Sequence, residues 1–278
     1  MAQRFDNQVV VVTGAGSGLG RASAIRLSSE GAHVVAVDIN RETVQGVVDD
    51  LPTKSIAVEA DISDERAVQR YMERAVEVFG RVDLYHLNAG IFGSFATLVN
   101  LGVDEFDEVM RVNVRGQFLG LRSAFRQYQT QASVGAICVT ASIASLAGSA
   151  DLLAYQTSKH AVVGLIHGTA VYGGPLGIRV NGVAPGIVPT ELFADAASTK
   201  GGKNDMVQRA STTPLRRAGS AEEIAGVVAF LLSEDSAYMT GQVVSADGGA
   251  SIVNTVRPSG GAGAWDTDNV DRLIYGRE

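Results

Sequence analysis

Residues 13–20 read TGAGSGLG, and they follow directly on the run QVVVV at 8–12. A short β-branched run predicts a buried strand, and the amphipathic segment near 19–30 predicts a helix. Between them, glycines let the backbone approach a pyrophosphate, which then sits on the N–H groups that open the helix. The spacing departs from the ordinary GxGxxG: Gly14, Gly18 and Gly20 form T-G-x-x-x-G-x-G, with Gly16 as an additional glycine and Ser17 and Leu19 inside the turn. Strand, glycine turn and helix in this order predict an α/β fold of the Rossmann type, a doubly wound parallel sheet with helices on both faces.

Outward from that turn the pattern repeats. AHVVAVDI, SIAVEADI, VDLYHLNAG, AICVTAS and IRVNGVAPG are short β-branched runs separated by longer helical segments, one of them near 104–130. Such alternation marks βαβ units. It breaks at 187–215, where no strand is predicted and a Gly-Gly-Lys-Asn turn occurs, so this segment reads as a lid or substrate loop. A helix near 220–233 and the strand in GQVVSADGG follow, and residues 251–278 form an irregular C-terminal extension. With no linker and no internal repeat, one domain spanning 1–278 is expected.

Composition excludes several classes. The 278 residues are 46% hydrophobic and 19% charged, with 32 glycines and only 6 prolines, which describes a compact protein rather than a disordered one. A net charge of −7 without clustered Lys and Arg argues against nucleic-acid and anionic-membrane partners. The apolar run near the N-terminus is too short for a signal peptide or a membrane span, so a soluble cytoplasmic protein is expected. Cys138 has no second cysteine to pair with and reads as core filler. His33, His86, His160 and His167 lack the local spacing of a metal site, and no metal is expected.

Asp38 stands at the end of the second predicted strand, eighteen residues past Gly20. A carboxylate there accepts hydrogen bonds from a ribose diol and repels a 2′-phosphate, favouring NAD over NADP; a turn or capping aspartate before Asn40 is the other reading. Ile39 adjoins it. Asp61, with Ile62, ends the third predicted strand, either reaching an adenine edge or, like Ser63 and Asp64, capping the next helix. Asn88, Ala89 and Gly90 are small or polar at the end of a strand beside the expected cofactor.

Tyr155 and Lys159 lie four apart in AYQTSKHAV and share a helix face. Alone the pair proves little, since a ring packed on the core beside a solvated amine is common. Glycine turn, LNAG, Asn113, Ser142 and Tyr155-x-x-x-Lys159, taken in order, resemble the short-chain dehydrogenase/reductase family, single-domain branch, over roughly residues 7–250. The thirteen-residue separation of Ser142 and Tyr155, Pro185-Gly186, Thr190 and the DGG at 247–249 match as well. Leu87 departs from the pattern, standing where many relatives carry asparagine.

The resemblance implies an oxidoreductase in which Tyr155 is the general acid/base. Lys159 lowers the pKa of the phenol and holds the nicotinamide ribose, Ser142 hydrogen-bonds the substrate oxygen, and Asn113 holds a water that relays protons. The chemistry is coherent: a phenol of pKa near 10 is a poor base at neutral pH until a nearby ammonium favours phenolate. The cofactor set is then Gly14, Ser17, Gly18, Leu19, Gly20, Asp38, Ile39, Asp61, Ile62, Asn88, Ala89, Gly90, Tyr155, Lys159, Pro185, Gly186, Val188 and Thr190. A homotetramer is implied too.

Ser94, Phe95, Ala144, Leu146, Leu152, Leu153, Ile187, Leu192, Phe193 and Met206 are expected near the substrate. Their mostly apolar character suggests a hydrophobic secondary alcohol or ketone, the alternative being that several pack into the core or a subunit interface. Lys200, Lys203 and Arg209 offer carboxylate partners on the lid, the alternative being solvated lid charges. The extension carries Trp265, Leu273, Ile274 and Tyr275, and reads as docking on a groove, with a flexible tail as the competing view. Two rivals to the main reading are a reductase of 3-oxoacyl thioesters and a non-catalytic NAD-binding sensor; no G-x-S-x-G points to a hydrolase.

Overall fold

The computed structural model describes residues 3–192, 194, 206–253, 268 and 272. Seven strands, β1 (Val9–Thr13), β2 (His33–Asp38), β3 (Ile56–Glu59), β4 (Leu84–Leu87), β5 (Gly135–Thr140), β6 (Ile178–Pro185) and β7 (Val243–Ala246), form one sheet. Its order is β3-β2-β1-β4-β5-β6-β7, and every pairing is parallel. The helices are α1 (Gly18–Ser29), α2 (Arg41–Asp49), α3 (Glu65–Phe79), α4 (Val103–Met110), α5 (Gln117–Thr130), α6 (Leu153–Gly173), α7 (Met206–Ser211) and α8 (Ala221–Leu232).

Strand periodicity sorts the core into two layers. Val10, Val12, Leu84 and Cys138 pack with Ala24 and Leu27 of α1 and Val228 and Leu232 of α8. Val11, Tyr85, Leu87, Ile137 and Val139 face the other way, against Phe125 of α5 and Ile166 of α6. With both faces covered, β1 has no solvent side, which is why its four valines run without a polar break. Leu87, where the family pattern has asparagine, lies in the core.

Helix starts follow from short polar side chains. Asn40 accepts from the Glu42 and Thr43 N–H groups, and Ser220 and Glu223 close a reciprocal box on α8. On α1, Ser17 makes no side-chain cap, so the first N–H groups of the helix stay directed at the glycine turn.

Three details differ from the sequence reading. The third strand stops at Glu59, two residues before Asp61, and the cap of α3 is Asp64. The helical region near 104–130 is broken by a π-helical turn, Arg111–Gly116, which carries Asn113. The 187–215 loop contains the short helix α7. Of that loop, 193 and 195–205 fall outside the described residues, as do Trp265, Leu273, Ile274 and Tyr275 of the extension. Among the described residues, no helix is long and apolar enough to cross a membrane.

Candidate active site

The chain leaves β1 towards β3 and returns to place β4 on the other side of β1, creating a switch point at their C-terminal ends. A cavity of about 620 Å3 opens there. Every residue of the expected cofactor set lines it except Gly20, which lies behind the wall.

Gly20 is nonetheless required by packing. A Cβ at 20 would stand 1.9 Å from the Gly14 carbonyl oxygen, and Gly14 itself has φ 66. Helix α1 therefore closes directly on the turn. Thr13 ties the turn to β4: its hydroxyl accepts the N–H groups of Asn88 at 2.9 Å and Ala89 at 3.1 Å, while Asn88 Nδ2 donates to the Thr13 carbonyl at 3.2 Å.

Asp38 Oδ2 accepts from the Gly16 N–H at 2.9 Å and Oδ1 from the Asn40 N–H at 3.0 Å. It is a turn aspartate, as one of its two sequence readings has it, and it also lines the cavity with acceptor capacity to spare. Asp61 Oδ1 accepts from the Ser63 N–H and hydroxyl at 2.9 and 2.6 Å, and Oδ2 from Arg111 at 3.0 Å. Burial pushes its carboxyl up, but the Ser63 hydrogen bonds and the charges of Arg111 and Arg115 outweigh this and hold it below the ordinary value. Across the cavity, Thr190 Cγ2 lies 3.4 Å from where a Cβ on Gly18 would stand, so the loop after β6 closes against the glycine turn.

At the other end, Ser142, Tyr155 and Lys159 converge. Tyr155 sits in the first turn of α6, and Lys159 Nζ stands 5.6 Å from its ring centroid, as a four-residue helical spacing requires. The ammonium donates to the Thr140 carbonyl at 2.8 Å. Ser142 caps its own backbone, accepting from the Ala144 N–H at 3.1 Å, and also hydrogen-bonds the Tyr155 phenol.

The electrostatics refine the expectation that Lys159 lowers the tyrosine pKa. Burial pushes the phenol above its ordinary value of 10.0, with the Ser142 hydrogen bond pulling against it. Burial also lowers Lys159 to about 8. The lysine thus remains mainly charged at neutral pH.

Asn113 stands one layer behind the cavity. Its Oδ1 accepts the Ile91 N–H at 2.8 Å, and Nδ2 donates to the Ile91 carbonyl at 2.8 Å and to Ser158 Oγ at 3.0 Å. Of the expected substrate residues, Ala144, Leu152, Ile187 and Leu192 line the cavity, as does Arg209. Ser94 does not: its N–H is held by Glu105 at 2.6 Å and its hydroxyl accepts from Ala96. Phe95 packs on Phe92, and Leu146 and Leu153 are also outside the lining. Phe193 and the Met206 side chain lie outside the described residues.

Sequence reasoning missed Phe92, whose ring stacks on Tyr155 with centroids 4.6 Å apart. Its place two residues after NAG was the available signal. Thr13 and Thr140 were missed because a threonine at a strand end has no distinguishing pattern, and the Thr140 contact to Lys159 uses a backbone carbonyl.

Sheet order, glycine turn and the Ser-Tyr-Lys group at one edge define a Rossmann-like oxidoreductase fold. The chain belongs to the short-chain dehydrogenase/reductase family: the family model described as Enoyl-(Acyl carrier protein) reductase matches residues 14–251. Levodione reductase of Leifsonia aquatica is 39% identical, covering 89% of this chain and 96% of the relative, and cyclohexanol dehydrogenase of Acinetobacter sp. (strain SE19) is 36% identical with the same coverage. The crystal structure of levodione reductase superimposes with TM-score 0.85 at 37% identity, covering 90% of this chain and 100% of that one. That of NAD+-bound xylitol dehydrogenase gives 0.81 at 35%, covering 88% and 100%. A 3-ketoacyl-(acyl-carrier-protein) reductase from Brucella melitensis complexed with NADH gives 0.82 at 30%, covering 89% and 99%.

Proposed function

We propose that the chain is an NAD-dependent oxidoreductase that interconverts a hydrophobic secondary alcohol and its ketone. The observation that carries this reading is the convergence of Ser142 and Lys159 on Tyr155 in a cavity whose far end is the glycine turn and Asp38. The residues fit a dinucleotide: Gly14 takes a positive φ and Gly20 lets α1 close on the turn, which leaves the opening N–H groups of the helix beside the cavity. Uncapped N–H groups of α1 would hold the pyrophosphate, Asp38 the adenosine ribose, Asp61 and Ile62 the adenine, and Tyr155 and Lys159 the nicotinamide ribose. NAD bound there supplies the acceptor for the hydride that leaves the carbinol carbon.

Ser142 donates to the substrate oxygen, and Tyr155, as phenolate, takes the hydroxyl proton at Oη; in reduction the phenol returns it. Because burial raises the phenol pKa, phenolate depends on nearby positive charge, which the Lys159 ammonium provides. Asn113, fixed by Ile91 and Ser158, would hold the relay water. Phe92, Ala144, Leu152, Ile187 and Leu192 supply an apolar wall for the substrate. Named substrates of the alcohol- and ketone-active relatives support the same class. The Brucella neighbour favours a second reading, reduction of a 3-oxoacyl thioester. A homotetramer in the cytoplasm completes the proposal, with exposed Phe118 on α5 and Val171 and Tyr172 on α6 available for assembly.

The test is NADH absorbance with NAD and NADP in parallel, across cyclic, aryl and hydroxyacyl secondary alcohols at mildly alkaline pH. Turnover of apolar alcohols with NAD is expected. Turnover confined to NADP would overturn the role of Asp38, and turnover confined to hydroxyacyl thioesters would replace the substrate class.

A further inference from the structure

His86 is fully buried on β4, two residues before Asn88, and pairs in register with Val12 of β1 and Cys138 of β5. None of the chemistry above uses it. Its Nε2 lies 3.0 Å from the Thr140 hydroxyl, and its Nδ1 is buried with no hydrogen-bond partner. Thr140 has two roles: its carbonyl accepts from Lys159, and its hydroxyl contacts Asn88 Oδ1 at 3.0 Å.

The direction of each bond follows from what the end of the chain can do. The Thr13 and Gly14 carbonyls only accept, so Asn88 must turn Nδ2 towards them and Oδ1 towards Thr140. Oδ1 only accepts, so the single Thr140 hydroxyl hydrogen goes to Asn88. The Thr140 oxygen is then left to accept, and His86 Nε2 must carry the hydrogen. A reversed tautomer would set two acceptors against each other and release Thr140. Burial lowers His86 to about 3, so it stays neutral throughout the physiological range.

We infer that His86 is a positioning residue for the nucleotide end, held as the Nε2–H tautomer, whose one-way chain His86 to Thr140 to Asn88 orients the amide that grips the glycine turn. This rests on the dinucleotide reading above. Each link donates to the next, from His86 Nε2–H to the Thr140 oxygen and from the Thr140 hydroxyl to Asn88 Oδ1, and the chain ends at the glycine turn, so its effect is on cofactor affinity rather than on proton transfer.

The experiment measures NAD binding by calorimetry for the unmodified protein, His86→Leu and His86→Gln, with thermal melts of each, alongside 15N NMR of the His86 imidazole. Leucine removes the donor; glutamine places an amide N–H near the Nε2 position. His86→Leu is expected to raise Kd for NAD by about tenfold, the scale of one lost buried hydrogen bond, and His86→Gln to recover most of it. The NMR spectrum is expected to show Nε2–H. Unchanged affinity in His86→Leu, equal losses in both folded variants, or an Nδ1–H tautomer would overturn the inference. If His86→Leu does not fold, the glutamine variant and the tautomer decide. Should the unmodified protein bind neither NAD nor NADP, the dinucleotide reading fails, and with it the proposed role; the tautomer still reports whether the bond order to Asn88 is right.

Discussion

The two ends of the cavity are built differently. At the nucleotide end, backbone and short polar side chains are locked together: Thr13 holds two N–H groups of the β4 loop, Asp38 holds Gly16 and Asn40, and α1 touches the turn through Gly20. At the substrate end, Phe92, Ala144, Leu152, Ile187 and Leu192 contribute apolar surface from three separate stretches of chain, with few directional bonds among them. A site fixed by hydrogen bonds between fixed backbone groups demands particular residues, whereas an apolar wall accepts any set of suitable volume. On the proposed function, the cofactor end defines the class of reaction and the substrate end its object.

Where the two ends meet, the largest effect is expected. Tyr155→Phe keeps the ring against Phe92 but removes the proton carrier, so kcat should fall by roughly 10²- to 10⁴-fold while Kd for NAD, with Lys159 still at the nicotinamide ribose, rises by no more than about tenfold; steady-state kinetics and calorimetry check both. A comparable loss of cofactor affinity would show that the two ends are not separable. Within the nucleotide end, Gly20→Ala forces a methyl group onto the Gly14 carbonyl and should raise Kd for NAD by roughly ten- to a hundredfold. Gly46→Ala is its control: in α2, with open space around its Cβ position, it should stabilise the fold by roughly 0.5–1 kcal/mol in denaturant unfolding.

Asp38→Asn tests whether charge at this end selects the cofactor. The ratio of kcat/KM for NAD over NADP should fall by roughly tenfold, with the preference among alcohols unchanged. A change in alcohol preference would break the division of labour. A further, pH-dependent effect concerns Lys159, whose pKa falls from 10.5 to about 8 on burial. Between these values the unfolded chain holds the proton that the folded chain has lost, so the parent gains stability as pH rises through this window. Lys159→Met lacks that titration. Its stability relative to the parent should therefore decline from pH 8 towards 10.5 in unfolding curves taken across the range.

The glycine turn and the Tyr155 to Lys159 spacing were legible in the sequence because each depends on neighbours within one turn or one helix, and Asp38 because it closes a strand that the apolar pattern marks. The alternation of strands and helices was equally clear, since both faces of the sheet are buried and its strands must be apolar throughout. Asp61 was left open between two readings because cap and cavity contact require the same residue type near the same helix; only the backbone around Asp64 separates them. Ser94 was misplaced beside the substrate because a loop residue after NAG has no periodicity to indicate its direction, and here Glu105 captures its N–H.

By itself the sequence determined the doubly wound sheet and the glycine turn, and named the residue types at the candidate catalytic edge, because these rest on local backbone geometry and short fixed spacings. Tertiary structure decided the rest: that Phe92 covers Tyr155, that a Thr140 carbonyl receives Lys159, and that a buried histidine meets the Thr140 hydroxyl. These contacts join strands and loops far apart in the chain, and their direction depends on which lone pairs and hydrogens remain once the sheet has brought them together.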